Sequence, residues 1–506
     1  MIIINKGDFV KKNETAAFTA YLESWDAEQA AEISEFFEDL SMHCALNKKD
    51  SKTLRSDFEN ALLYYNSAAV PLKQALMRLS IEHLGGFYVR PPILWYTLDD
   101  AAKIYPLSMK QNQMAVFRLS VYLKETVVPE LLQIALTFTI KRFPSFATTV
   151  KKGFFWHYLD TAKRRYAVQP ETGIPCQPLN LSHSSSQSFR VLWYQNRISV
   201  EFFHALTDGT GGMSFLKALT AEYLRLNGVD SNEEGILKRD DTPTAEETEN
   251  SFSRARAMDQ KSGFVDAPAT QMSGRLSRVK PCRVLHFCMD AARLKQAAKE
   301  RSVTVTTYIL SKMFLAGKAA TDEMNGEINI QVPVNMRKFY PSETVRNFAL
   351  YCGIRLPIQK IADTSVMTQE ITEQLVSKAS LDAMNEMMST TRKMVRALSY
   401  IPLAIKVPVA RIVYGFLGDG IFSNTLSNLG VVTMPDGYAD HIESMDFVLG
   451  TAITNRAGCS MVTFGNTATL SIAKFTADPS FEEAMFRLLS EDGVIPEVKG
   501  SQLYEH

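Results

Sequence analysis

The stretch Arg197-Ile198-Ser199-Val200-Glu201-Phe202-Phe203-His204-Ala205-Leu206-Thr207-Asp208-Gly209-Thr210-Gly211-Gly212 reads as a strand, then a tight turn, then the start of a helix. The strand runs from Arg197 to Phe203. Past Gly212, the spacing of Phe215, Leu216, Leu219, Tyr223 and Leu224 is that of a helix face. A strand that feeds a helix through a short turn is the unit of an α/β fold, and it leaves His204 at the rim of a sheet. Imidazole is unperturbed near pH 6.5, so such a histidine is mostly neutral at pH 7 yet able to take a proton, which suits general-base work. Gly209, Gly211 and Gly212 are expected to let the turn take positive φ, and to let a ligand or the opposing backbone come close. Alone, the spacing fits a structural turn with a surface histidine equally well.

Outward from that turn the alternation persists. A polar hairpin at Gln195-Asn196 joins the strand Arg190 to Tyr194 to the motif strand. Further upstream, Val116 to Leu123 reads as a strand, and Pro129 opens a helix from Glu130 to Lys141. Before about residue 90 the chain is helical and separate in pattern. Asp26 and Gln29 form a capping box ahead of Ala30, Ile33, Phe37, Leu40 and Cys44, and a second helical stretch through Leu62, Leu72, Leu76 and Leu79 ends at Gly85-Gly86. That prefix carries no chemistry and is expected to be a cap or a docking element. Downstream, residues 229–278 are polar and poor in large apolar side chains, as in a surface crossover. A second α/β half follows: a strand Val284 to Met289, a helix capped by Asp290, a helix from Thr304 through Leu315, and a strand Ile328 to Val334. The expected division is a helical extension 1–88, one half 89–275, and another half 276–506.

Composition narrows the function. The 55 basic and 55 acidic residues cancel, so no electrostatic grip on nucleic acid is implied. Cys44, Cys176, Cys282, Cys288, Cys352 and Cys459 lack CxxC spacing, and Met1 to Lys6 is too short and too soon charged for a signal peptide. Reduced thiols in a cytoplasmic protein are expected. His157, His183, His286 and His441 lack metal-ligand spacing, so no metal is expected. Neither a hydrolase elbow nor a phosphate loop is present. Met384, Met387, Met388 and Met394 lie at helical spacing and read as adaptable core. The apolar stretch Ala397 to Leu417 contains Pro402, Lys406, Pro408 and Arg411; charges there would each cost about 2.5–3.5 kcal/mol at a bilayer centre, so it is no spanning helix. A half-buried helix is expected, with peripheral membrane contact open.

The chain resembles the chloramphenicol acetyltransferase-like superfamily, which includes the condensation domains of peptide synthetases, and within it the alcohol acetyltransferase-like branch. The likeness spans roughly residues 92–495. It rests on Trp95 to Tyr105, the helix ending Lys141-Arg142-Phe143-Pro144, Gly153-Phe154-Phe155-Trp156, the His204 motif, Val303-Thr304-Val305-Thr306, Asn335-Met336-Arg337 and Ser427-Asn428-Leu429-Gly430. Many relatives begin the motif with His-His; here the first position is Phe203.

The resemblance implies two α/β halves packed as a pseudo-dimer, with a tunnel reaching the histidine from both faces. It implies that His204, Asp208 and Gly209 form the catalytic motif, His204 taking the acceptor's proton as the acceptor attacks a thioester without an acyl-enzyme intermediate. Asp208, too close in sequence to orient His204 as in a triad, is then expected to pair with Arg337 through two parallel hydrogen bonds. Ser427 or Asn428 could serve the oxyanion; a turn ahead of a strand Val431 to Met434 is the plainer reading. No cofactor is implied beyond acyl-CoA as co-substrate, with a small alcohol or amine as acceptor. Two alternatives stay open: a donor carried on a carrier protein's pantetheine arm, and a binding protein without turnover.

Overall fold

The computed structural model describes residues 16–89, 94–109, 114–161, 165–181, 187–254, 267–417, 419–450 and 455–504. His183 lies outside them. The motif strand Arg197–Phe203 pairs on one side with Val116–Leu123 and on the other with Phe189–Tyr194, with Val168–Pro170 beyond. Alternation decides its faces. Phe117, Leu119 and Phe202 point to one side, where Gly212 brings the helix Gly209–Leu226 so close that a Cβ there would lie 3.0–3.2 Å from those three side chains. The helix Pro129–Thr139 packs beside it, and the fully buried Phe138, Phe143, Phe146 and Phe215 fill the layer.

The helical prefix shares that core. The helix Ala27–Met42 is capped as expected, Asp26 accepting from the Gln29 amide at 2.8 Å; Asn47, which the sequence reading did not single out, caps Lys48–Ser67. Phe58 meets Phe138 at 6.1 Å between ring centres, Tyr65 donates to the Leu226 carbonyl at 2.6 Å, and Arg165 holds Asp57. The amphipathic faces of the prefix thus close the outer side of the first helical layer.

The second sheet has seven strands, in the order Ala349–Pro357, Glu327–Asn335, Asn424–Val432, Ala457–Phe464, Thr467–Lys474, Arg283–Asp290 and Glu497–Gly500. Its core contains Tyr308, Ile309, Phe314, Met384, Met388 and Met485 from the helices laid against it. Thr304 caps the helix Val305–Ala319, and Asp290 caps Ala291–Glu300. One strand of this part of the chain goes elsewhere. Ile442–Leu449 leaves to become the edge of the first sheet, antiparallel to Val116–Leu123, and so ties the two sheets together. A small third sheet joins Trp95–Thr97, His157–Thr161 and Thr148–Lys152.

The six cysteines form no bridge; four are buried and two half-buried. Among the described residues, no helix is long and apolar enough to cross a membrane, and no cluster of His, Cys, Asp and Glu could hold a metal. The stretch Ala397 to Leu417 is broken at Pro402 into the end of the helix Leu381–Leu398 and the helix Leu403–Leu417.

Candidate active site at the His204 turn

The motif turn sits in a wedge of the second sheet. Strands Glu327–Asn335 and Asn424–Val432 pair only at Asn424↔Ile330 and Thr425↔Gln331, then part. Into the gap go the first residues of the motif helix: Asn335 donates to the Thr210 hydroxyl at 3.2 Å on one side, and Leu429 lies over Gly209 on the other. Residues from both sheets therefore meet at His204.

Asp208 is the N-cap of the helix Gly209–Leu226, its Oδ1 accepting from the Gly211 amide at 2.9 Å. Its Oδ2 accepts from Arg337 Nη1 at 2.8 Å and from the Phe348 amide at 2.7 Å, so the carboxylate is engaged away from the histidine. The pair differs from expectation in one respect: the Arg337 fork does not grip both oxygens. Arg337 Nε and Nη2 instead donate to the Thr344 and Arg346 carbonyls, tying the stretch 344–348 to the motif turn.

The glycines also correct an expectation. Gly209, Gly211 and Gly212 are absent from the positive-φ residues. Gly211 is required by close approach alone, because a Cβ there would lie 2.0 Å from the Val345 carbonyl oxygen and 2.4 Å from Thr207 Oγ1. Thr207 Oγ1 itself donates to Val345 O at 2.6 Å. At Gly209 the added atom would meet only a Leu429 methyl, at 2.7 Å.

His204 is set deep between aromatic rings, with part of its surface still open. Tyr105 stacks on it at 4.7 Å between ring centres and 17°, and Phe117 meets it edge-on at 5.1 Å. Burial holds its pKa below the usual 6.5, against a hydrogen bond between ring and own backbone and the nearby Asp208 charge. The imidazole is consequently neutral at pH 7. Asn347, which sequence reading missed, places its amide nitrogen 3.0 Å from Nδ1 and 2.9 Å from the His204 carbonyl. Two arrangements satisfy this corner: Nδ1 accepting from Asn347, or Nδ1–H donating to the residue's own carbonyl. Only the second leaves a lone pair on Nε2. Nothing in Val345-Arg346-Asn347-Phe348 signals this role in sequence, since the residues follow no period. Near the site a buried ion pair sets Arg346 Nη2 3.2 Å from Asp99, and burial raises the Asp99 carboxyl to about 6 despite Arg346.

Ser427 and Asn428 lie within the strand Asn424–Val432, not ahead of it. A bulge falls between Asn428 and Val431, with Gly430 at φ +75°. Ser427 is buried. The Asn428 side chain donates to Thr306 Oγ1 at 3.1 Å and accepts from the Gly430 amide at 2.8 Å. His157 is buried on the small sheet, and His286 bonds Ser471 at 2.9 Å; neither joins His204.

No family model matches the sequence, and no curated protein does. Solved structures do match. Polyketide synthase associated protein 5 from Mycobacterium tuberculosis is similar with a TM-score of 0.53 at 13% identity, over 79% of this chain and 98% of that one. TRI101 of F. graminearum, complexed with ethyl coenzyme A, gives 0.54 at 10%, over 80% and 100%. The first condensation domain of the calcium-dependent antibiotic synthetase, in complex with a substrate analogue, gives 0.51 at 10%, over 81% and 99%. The chain thus shares the two-lobed fold of these three structures.

Proposed function

We propose that the protein is an acyltransferase that moves an acyl group, acetyl in the first instance, from a coenzyme A thioester to an alcohol or amine, with His204 as general base. The observation that carries this is a neutral, partly accessible imidazole between both sheets, with its neighbouring carboxylate committed elsewhere. With Nδ1–H on its own carbonyl, Nε2 takes the proton of the acceptor hydroxyl or amine as the acceptor's oxygen or nitrogen attacks the thioester carbonyl. The tetrahedral intermediate then collapses with loss of the coenzyme A thiolate, which recovers the proton from Nε2. The free enzyme is restored without a covalent intermediate.

Asp208 in this reading is a positioning residue: through Arg337 and Phe348 it fixes the turn and so the direction of the ring. Ser427 and Asn428 are the donors nearest to the role of oxyanion support. The Asn428 amide has two protons, of which one goes to Thr306. The similarly folded TRI101 is seen with coenzyme A and T-2 mycotoxin, which supports a thioester donor and a small acceptor.

The test is thiol release from acetyl-CoA, and from longer acyl-CoA esters, with a panel of alcohols and amines. Acceptor-dependent release is expected. Release from no CoA ester, with transfer from an acylated carrier protein, would overturn the donor assignment; no transfer from either would overturn the enzyme reading.

A further inference from the structure

Among the described residues, no carboxylate is hydrogen-bonded to the His204 ring. In a Ser-His-Asp arrangement the acid accepts from Nδ1–H and stabilises the imidazolium that forms when the ring takes a proton. Here Asp208 accepts from the Gly211 and Phe348 amides and from Arg337, and acts on the ring only through space. The other charged pair at this corner, Asp99 with Arg346, is already matched. The side chain at Nδ1 is the uncharged amide of Asn347. Burial makes this arrangement costly for a base, because a buried cation is disfavoured unless something answers its charge.

What lies against the imidazole is an aromatic face. Tyr105, on the short helix Ile104–Ser108, stacks on it at 4.7 Å between ring centres with 17° between planes. Phe117, at 5.1 Å, is inclined by 62°. Among the described residues, Tyr105 is therefore the ring that lies parallel to the imidazole. Burial pushes its hydroxyl up, with Tyr351 and Asp208 nearby adding to the effect, so the phenol brings no charge of its own. The face of such a ring is the negative side of its quadrupole, and a cation within about 6 Å of its centre is attracted to it. Neutral imidazole gains little from that field and imidazolium gains more. The contact thus strengthens as the proton arrives, and an interaction stronger in the transition state than in the ground state is one that speeds a reaction.

We propose that the Tyr105 ring face stabilises the protonated form of His204 and so strengthens it as a base. Tyr105 acts through the imidazole, as a positioning residue. The catalytic consequence rests on the acyl-transfer reading; the proton affinity of the ring does not.

The test is titration of the His204 ring by NMR in histidine-labelled protein, its signal assigned by loss in His204→Gln, beside kcat and KM with acetyl-CoA and the best acceptor. Tyr105→Leu keeps an apolar neighbour and removes the face. It is expected to lower the midpoint by about 0.4–1.5 pH units and kcat by roughly 2- to 30-fold, with KM little changed. Tyr105→Phe keeps the face and should titrate as the native protein does. A midpoint unchanged or raised in Tyr105→Leu would overturn the proposal, as would an equal fall in Tyr105→Phe, which would assign the effect to the hydroxyl. So would a loss confined to KM, the mark of a ring that only walls the acceptor. Should Tyr105→Leu fail to fold, Tyr105→Met makes the same test. The expected midpoints in a protein that transfers no acyl group would support the stack and count against the acyltransferase reading.

Discussion

Removing the Asp208 carboxylate should unfold more than it silences. Asp208 is 2% exposed and accepts three hydrogen bonds, from the Gly211 and Phe348 amides and from Arg337. Asp208→Ala strands two buried backbone donors, at about 1–3 kcal/mol each in the general case, and leaves the guanidinium without its counter-charge. Loss of one member of a buried pair costs about 3–5 kcal/mol, and that range is expected here. Arg337→Ala should cost less, about 2–3 kcal/mol, because Asp208 keeps both amides while the Thr344 and Arg346 carbonyls lose a donor. Asp208→Asn offers one acceptor oxygen to three donors and should fall between the native protein and Asp208→Ala. Denaturant unfolding of the two single alanine variants and the double variant gives the coupling, expected at about 0.5–3 kcal/mol. Strictly additive losses, or an Asp208→Ala penalty within about 0.5 kcal/mol, would refute the pairing argument.

Gly211→Ala should destabilise by about 2–3 kcal/mol, because its Cβ runs into the Val345 backbone carbonyl, whereas Gly209→Ala displaces only a leucine methyl and should cost under about 1 kcal/mol; chemical denaturation separates them. The Lys406 amine is held down at about 8 by burial and by nearby Lys103. Between pH 8 and the unfolded value near 10.4, the unfolded chain binds a proton that the folded chain does not, so this penalty is full below pH 8 and relieved as pH rises. Lys406→Met should therefore raise the melting temperature at pH 7 by about 2 °C, with the gain shrinking toward pH 10. For His204, whose pKa is depressed, kcat/KM measured against pH should lose activity only below about 6.5, the unperturbed value, and stay flat through neutrality.

The strand-turn-helix around His204 was legible because its strand is apolar and its helix is amphipathic, and each period reports the face that is buried. The caps at Asp26, Asp290 and Thr304 were legible for a local reason: each side chain bonds an amide three residues on. Long-range pairing was not. Nothing in Ile442–Leu449 says that its partner is Val116–Leu123 rather than a strand of its own half, because a strand's own residues carry no record of which edge they pair with. The prefix showed its amphipathic faces but not the layer that they would cover. At the site, glycines announced crowding without its geometry, so positive φ was expected where close approach was the cause. Asn347 was silent because a single amide outside any periodic pattern acquires meaning only when the fold brings it to the imidazole.

The measurement that bears most directly on the central claim is the turnover of His204→Ala with acetyl-CoA and the best acceptor, taken beside its unfolding curve. The account predicts a fall in kcat of roughly a hundredfold or more, little change in KM, and a variant that still folds, since Asn347 keeps its bond to the His204 backbone carbonyl when the ring is lost. Near-native turnover by a folded His204→Ala would contradict it.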